Sequence, residues 1–156
     1  MKKHKSLFVI LILLFILTAC NKNTNVSQSI STNSKDNQLV ATISQAADKL
    51  EVYYFHRTQR CISCMRIGDY TNKTILEYFS EEMGNGKIDY KEINIDLPEN
   101  KELARKFEAT GSSLFINSIN GEDENIQNII EVWNWKSNEE VFKNNLKQKI
   151  DQLLGK

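Results

Sequence analysis

The chain has 156 residues, with 20 basic and 20 acidic side chains, 40% apolar residues, three cysteines and one proline. That length accommodates one ordinary domain and a short extension. A balanced charge with neither a basic cluster nor a Gly-rich phosphate loop argues against a partner that is nucleic acid or nucleotide, and no internal repeat is present.

The N-terminus opens with MKKHK, continues as the apolar run LFVILILLFILTA and meets Cys20. A charged start, a short apolar stretch and small residues before a cysteine are the pattern of an export signal over 1–19. The run from Leu7 to Ala19 has 13 residues, whereas a membrane-spanning helix needs roughly 20. Leu17-Thr18-Ala19-Cys20 resembles the bacterial lipobox. The resemblance implies cleavage before Cys20, lipidation of its thiol and amine, and a domain anchored on the extracytoplasmic side of the cell membrane. An uncleaved N-terminal anchor would leave the domain on the same side. Removal of Lys2, Lys3 and Lys5 leaves 17 basic against 20 acidic residues, a net charge of −3.

Residues 20–40 contain no aromatic side chain and little beyond Asn, Ser, Thr, Lys and Gln. Such a segment buries too little apolar surface to offset its ordering entropy, so it reads as a lipidated cysteine and a disordered tether. The domain is expected over 41–156. With Cys20 assigned to lipid, the two remaining thiols, Cys61 and Cys64, lie in an exported, oxidising setting. They could be a redox pair, two ligands of a metal, or a passive disulfide.

Within the domain a short helix is expected over about 42–50, then a buried strand at EVYYFH, 51–56. Apolar residues at Ile75, Leu76, Phe79 and Met83 have helical spacing, so a helix is expected from Cys61 to Met83, closed by Gly84-Asn85-Gly86. KIDYKEINID, 87–96, reads as a second strand, and Pro98 opens a helix through Leu103, Ala104 and Phe107. SLFINSI, 113–119, reads as a strand ending in the hairpin dipeptide Asn120-Gly121. IIEVWNW, 129–135, is the expected antiparallel partner, with Trp133 and Trp135 packing on one side of it. Val141, Phe142, Leu146, Ile150, Leu153 and Leu154 mark one face of a terminal helix.

A strand, a helix opening on Cys-x-x-Cys, then strand, helix, two strands and a helix resembles the thioredoxin fold. The expected class is therefore α/β, a central mixed sheet of about four strands flanked by helices, with CxxC at a strand-to-helix junction. YYFHRTQRCISCMR, with NIDLPENKELARKFEATGSSL, is similar to the small thioredoxin-like proteins catalogued as nitrophenyl compound nitroreductase subunits. Neither a flavin nor a nicotinamide site is recognisable, and no cofactor is expected.

On a first helical turn, positions three apart lie about 5–6 Å from each other at Cβ, within disulfide reach. Cys61 would sit at the helix N-terminus, where unpaired N–H groups and Arg60 favour its thiolate. Cys64, one turn in, would resolve a mixed disulfide formed on Cys61. Such a pair exchanges with protein thiol or disulfide clients and a redox partner whose identity the sequence does not give. A passive staple closing so short a loop would add under about 3 kcal/mol. Zinc would have only half a structural ligand set. His56 and Met65 keep delivery of a soft metal such as copper open, although Arg57, Arg60 and Arg66 oppose a cation and suit an acidic client. A redox-silent adaptor with this fold is the remaining alternative.

Three departures from thioredoxin stand out. The only proline is Pro98, so Ser112 is expected where thioredoxins carry the cis-proline facing the pair. The first strand also lacks a buried acid, which leaves His56 as the expected proton-transfer partner of Cys64. Ile62-Ser63 replaces the usual Gly-Pro between the cysteines.

Overall fold

The computed structural model describes residues 46–156. The export signal, Cys20, the tether and the first part of the helix expected at about 42–50 lie outside the described residues. The rest of that helix is absent: the chain bends at Asp48 and strand β1 has begun by Lys49.

Strand β1, Lys49–His56, is central and buried on both faces, which is why its sequence is nearly continuous in apolar residues. Strand β2, Ile88–Asn94, lies parallel to it with Val52 opposite Tyr90. Strand β3, Ser113–Asn120, runs antiparallel on its other side with Tyr54 opposite Leu114. Strand β4, Asp123–Asn128, completes the sheet antiparallel to β3, giving the order β2-β1-β3-β4.

The expected hairpin forms, but its second strand is DENIQN rather than IIEVWNW. Gly121, at φ +59°, takes the first central position of a two-residue turn that pairs Asn120 with Asp123. Asp48 holds this turn: its N–H donates to Asn120 Oδ1 at 3.2 Å and its carboxylate accepts from the Gly121 N–H at 3.1 Å. So short a turn compels the next six residues to pair, polar as they are. An outermost strand needs no apolar pattern, and its acidic residues discourage edge-to-edge association.

The apolar segment that follows instead turns into a short helix, α4, Val132–Trp135. Ile129 and Val132 are buried and Trp135 packs against the same core, a three-residue spacing that suits a helix. Trp133 is left at the surface. The two tryptophans therefore do not share a strand face.

The helix after the cysteines is also shorter than expected. Helix α1, Ile62–Tyr78, ends where Phe79 leaves helical geometry at φ −131°, and a separate turn, α2, spans Ser80–Gly84. Phe79 is buried at that break. A 3₁₀ turn at Pro98–Asn100 leads into helix α3, Lys101–Lys106. Helix α5, Glu139–Leu154, is capped by Asn138, which accepts from the Val141 N–H, and by Gly155 at φ +72°. Phe142, Leu146, Ile150 and Leu154 face the core, whereas Val141 is exposed.

Helices α1, α4 and α5 cover one face of the sheet, over Leu50, Val52, Tyr54, Leu114 and Ile116. The other face carries Tyr53, Phe55, Ile93 and Phe115 against Ala104, Phe107 and Ala109. Each fully buried aliphatic or aromatic side chain contributes roughly 1.5–3 kcal/mol, so both layers hold the sheet. A four-stranded mixed α/β sheet flanked by helices, with a CxxC pair opening the first helix, is the thioredoxin-like arrangement. Among the described residues no helix is long and apolar enough to cross a membrane.

Candidate active site

The end of β1 and the start of α1 meet at the two cysteines. Cys61 is the N-cap of α1, in extended backbone at φ −74° and ψ 161°. Its sulfur accepts from the Cys64 N–H at 3.1 Å, and its carbonyl accepts from the Met65 N–H at 2.9 Å. A thiolate there would receive the same N–H that the capped sulfur does. Cys61 and Cys64 are disulfide-bonded with Cα atoms 5.0 Å apart. Cys61 is exposed and Cys64 half-buried.

Arg60 lies beside the pair, but its charge is shared. Its guanidinium forms an ion pair with Glu92 on β2 at 3.0 Å and stands 5.8 Å from the centroid of the Tyr54 ring. It contributes less net positive potential at Cys61 than the sequence suggests. His56 closes β1 half-buried, with Nδ1 2.9 Å from the Arg57 carbonyl and its ring stacked on Tyr54 at 5.9 Å. Among the described residues no hydrogen bond joins His56 to either cysteine.

The side chain that does reach the pair is Tyr54, on the strand whose sequence reads as buried. Its hydroxyl donates to the Cys64 carbonyl at 2.5 Å. Burial pushes the phenol's pKa up, against smaller opposing effects of the Ser112 hydroxyl and the Arg60 charge. It therefore stays a donor through neutral pH. The available signal for Tyr54 was the strand's alternation: Val52 and Tyr54 point to the helix that begins with the cysteines, and Tyr53 and Phe55 point away.

Around the disulfide the surface is apolar and basic. Ile62 is 67% exposed and Met65 47% exposed. Arg57 and Arg66 are exposed as well. Arg57 donates to the Thr110 carbonyl at 3.0 Å, tying the cysteine loop to the segment before β3. Beside it opens a groove of about 630 Å³ whose charged lining includes Arg57, Asp96, Lys101 and Arg105. Among the described residues no group of three or more His, Cys, Asp or Glu side chains is placed to hold a metal ion.

No family model and no curated protein matches the chain. Among solved structures it is similar to the solution structure of a thioredoxin from Thermus thermophilus, with 14% identity and a TM-score of 0.43, covering 67% of this chain and 76% of that one. It is also similar to a structure described as that of a malarial protein, at 18% identity and a TM-score of 0.36, over 51% of this chain and 79% of that one. The fold assignment rests on this chain's own strand order and register.

Proposed function

We propose that the protein is a lipid-anchored, extracytoplasmic thiol–disulfide oxidoreductase. The observation that carries this reading is the Cys61–Cys64 disulfide at an exposed helix N-cap, with the Cys64 N–H directed at the Cys61 sulfur. In the reduced protein the Cys61 thiolate attacks a client disulfide, forming a Cys61–client bond and releasing one client sulfur as thiolate. Deprotonated Cys64 then attacks Cys61, re-forming the Cys61–Cys64 bond and releasing the second client thiolate. Two electrons pass to the client, and the released thiolates take up the protons that the pair gave up. Oxidation of a client dithiol is the same sequence reversed, and a redox partner resets the pair in either direction.

Substituting each thiol separately tests the assignment. Cys64→Ser should accumulate mixed disulfides with clients, because the resolving sulfur is gone, whereas Cys61→Ser should trap almost none. A Cys61–Cys64 potential between roughly −270 and −120 mV fits a working couple, and one below about −300 mV fits a structural bond. No adduct in either variant, with equally slow alkylation of both reduced thiols, would leave a staple or an adaptor.

The membrane anchor rests on the sequence alone. Cys20→Ala should abolish lipid labelling and release or misprocess the protein while the domain still folds. Lipid incorporation that persists in this variant would remove the lipoprotein assignment.

A further inference from the structure

Tyr54 sits where β1, the cysteine loop, α1 and the start of β3 converge. Its side chain is fully buried. The ring lies beside Gly68, one turn beyond Cys64, and a Cβ on that glycine would come within 2.6 Å of Tyr54 Cε1. Arg60 stands near the ring and is itself fixed by Glu92, which also accepts from the Tyr90 hydroxyl at 3.2 Å. His56 is stacked against it and Ser112 is near its hydroxyl. The charged and titratable groups around the phenol are thus His56, Arg60, Tyr90 and Glu92. The absence of a side chain at Gly68 lets the hydroxyl reach the Cys64 carbonyl.

We infer that Tyr54 is a positioning residue for the cysteine pair: its hydroxyl pins the backbone of Cys64, so that on reduction Cys61 moves while the Cys64 N–H stays directed at its sulfur. The inference rests on the oxidoreductase reading of the same site. In the oxidised protein the covalent bond already fixes both cysteines, so the phenol adds little to their placement. In the reduced protein the two sulfurs separate, and the tether from Tyr54 to Cys64 is what keeps the N–H in line. Hydrogen bonds to a charged acceptor are roughly twice as strong as neutral ones, so this alignment matters most once Cys61 is a thiolate. Tyr54 therefore favours the reduced, ionised state over the oxidised one. It does so without exchanging a proton, since its raised pKa keeps the hydroxyl intact.

Tyr54→Phe in the full-length protein tests this, because it removes one oxygen and leaves the ring. Loss of the tether should raise the Cys61 pKa, slowing iodoacetamide alkylation at mildly acidic pH by roughly three- to tenfold. It should also shift the equilibrium with a reference dithiol toward the oxidised form by a similar factor, the upper value corresponding to about 30 mV. Denaturant midpoints in both redox states give the same comparison without any client: the substitution should destabilise the reduced form more than the oxidised one. Equal losses in the two states, or an equilibrium moved by less than about twofold, would reduce Tyr54 to a packing residue and overturn the inference. If the unsubstituted pair does not exchange with disulfides, the oxidoreductase reading fails by itself, and the two denaturant midpoints still decide the role of Tyr54. A second measurement needs no substitution. The Tyr54 hydroxyl proton should stay protected from solvent after reduction, and its loss on reduction would equally overturn the inference.

Discussion

A Cβ on Gly68 would lie 2.6 Å from Cε1 of Tyr54, closer than any unstrained carbon contact. Alanine at an ordinary helix position is favoured over glycine by about 1 kcal/mol, but overpacking a fixed ring costs typically 1–3 kcal/mol. Tyr54 is held by its hydrogen bond to Cys64 and cannot retreat freely. Gly68→Ala should therefore destabilise the protein by up to about 2 kcal/mol, read from denaturant midpoints at constant m. A stabilised variant would mean that the ring moves aside.

The reversal between Ile126 and Val132 is measurable in the same way. Val132, the first residue of α4, is fully buried, whereas Ile126 is a half-exposed side chain on the edge strand β4. Val132→Ala should cost about 1–2.5 kcal/mol, in the range of buried methyl deletions, and Ile126→Ala less than about 1 kcal/mol. Similar losses at both positions would contradict the burial difference between these two elements.

Those two segments also show how far the sequence could be read. Strands β1 and β3 were legible as short, nearly continuous apolar runs buried on both faces, and the terminal helix as a periodic apolar face, with Phe142, Leu146, Ile150 and Leu154 all in the core. β4 was not, because an edge strand fixed by a two-residue turn can be almost wholly polar. α4 was misread because Ile129, Val132 and Trp135 satisfy a helical spacing inside a segment rich in strand-forming residues. At the site, the cysteines and the capping position of Cys61 were legible from spacing. Tyr54 and the Arg60–Glu92 pair were not, because both depend on which strands become neighbours.

Asp89 supplies a pH dependence on the opposite face of the sheet. Burial alone would raise its carboxyl pKa, but hydrogen bonds from Lys91 Nζ at 2.6 Å and the Tyr53 hydroxyl at 2.8 Å outweigh that and hold it below the usual range. A carboxyl whose pKa is lower in the folded state stabilises the protein above its unfolded pKa, near 4. That contribution disappears as pH falls through the folded value. Asp89→Asn should therefore be less stable than the unsubstituted protein at pH 7, by about 1 kcal/mol, and the gap should close below about pH 4. Glu77 and Glu82, whose carboxyls are likewise held low by Lys143 and Lys156, remain in both proteins and cancel. A gap that persists unchanged into acid would assign the loss to packing.

Client preference follows from the rim of the disulfide. Cys61, Ile62 and Met65 are exposed, as are Arg57 and Arg66, and no acidic residue occurs from His56 to Gly68. Such a surface draws in peptides with apolar residues at the disulfide and acidic residues flanking it, mainly by raising the encounter rate. A disulfide peptide with acidic flanks should therefore react with the reduced protein about tenfold faster at low salt than the same peptide with basic flanks. At 1 M salt, where the screening length falls to about 3 Å, the difference should largely vanish. Replacing Arg57 and Arg66 together by Glu should remove or invert the preference while leaving the Cys61–Cys64 potential nearly unchanged, because among the described residues neither arginine hydrogen-bonds a cysteine sulfur. Equal rates for both peptides at low salt would show that this rim does not select clients by charge.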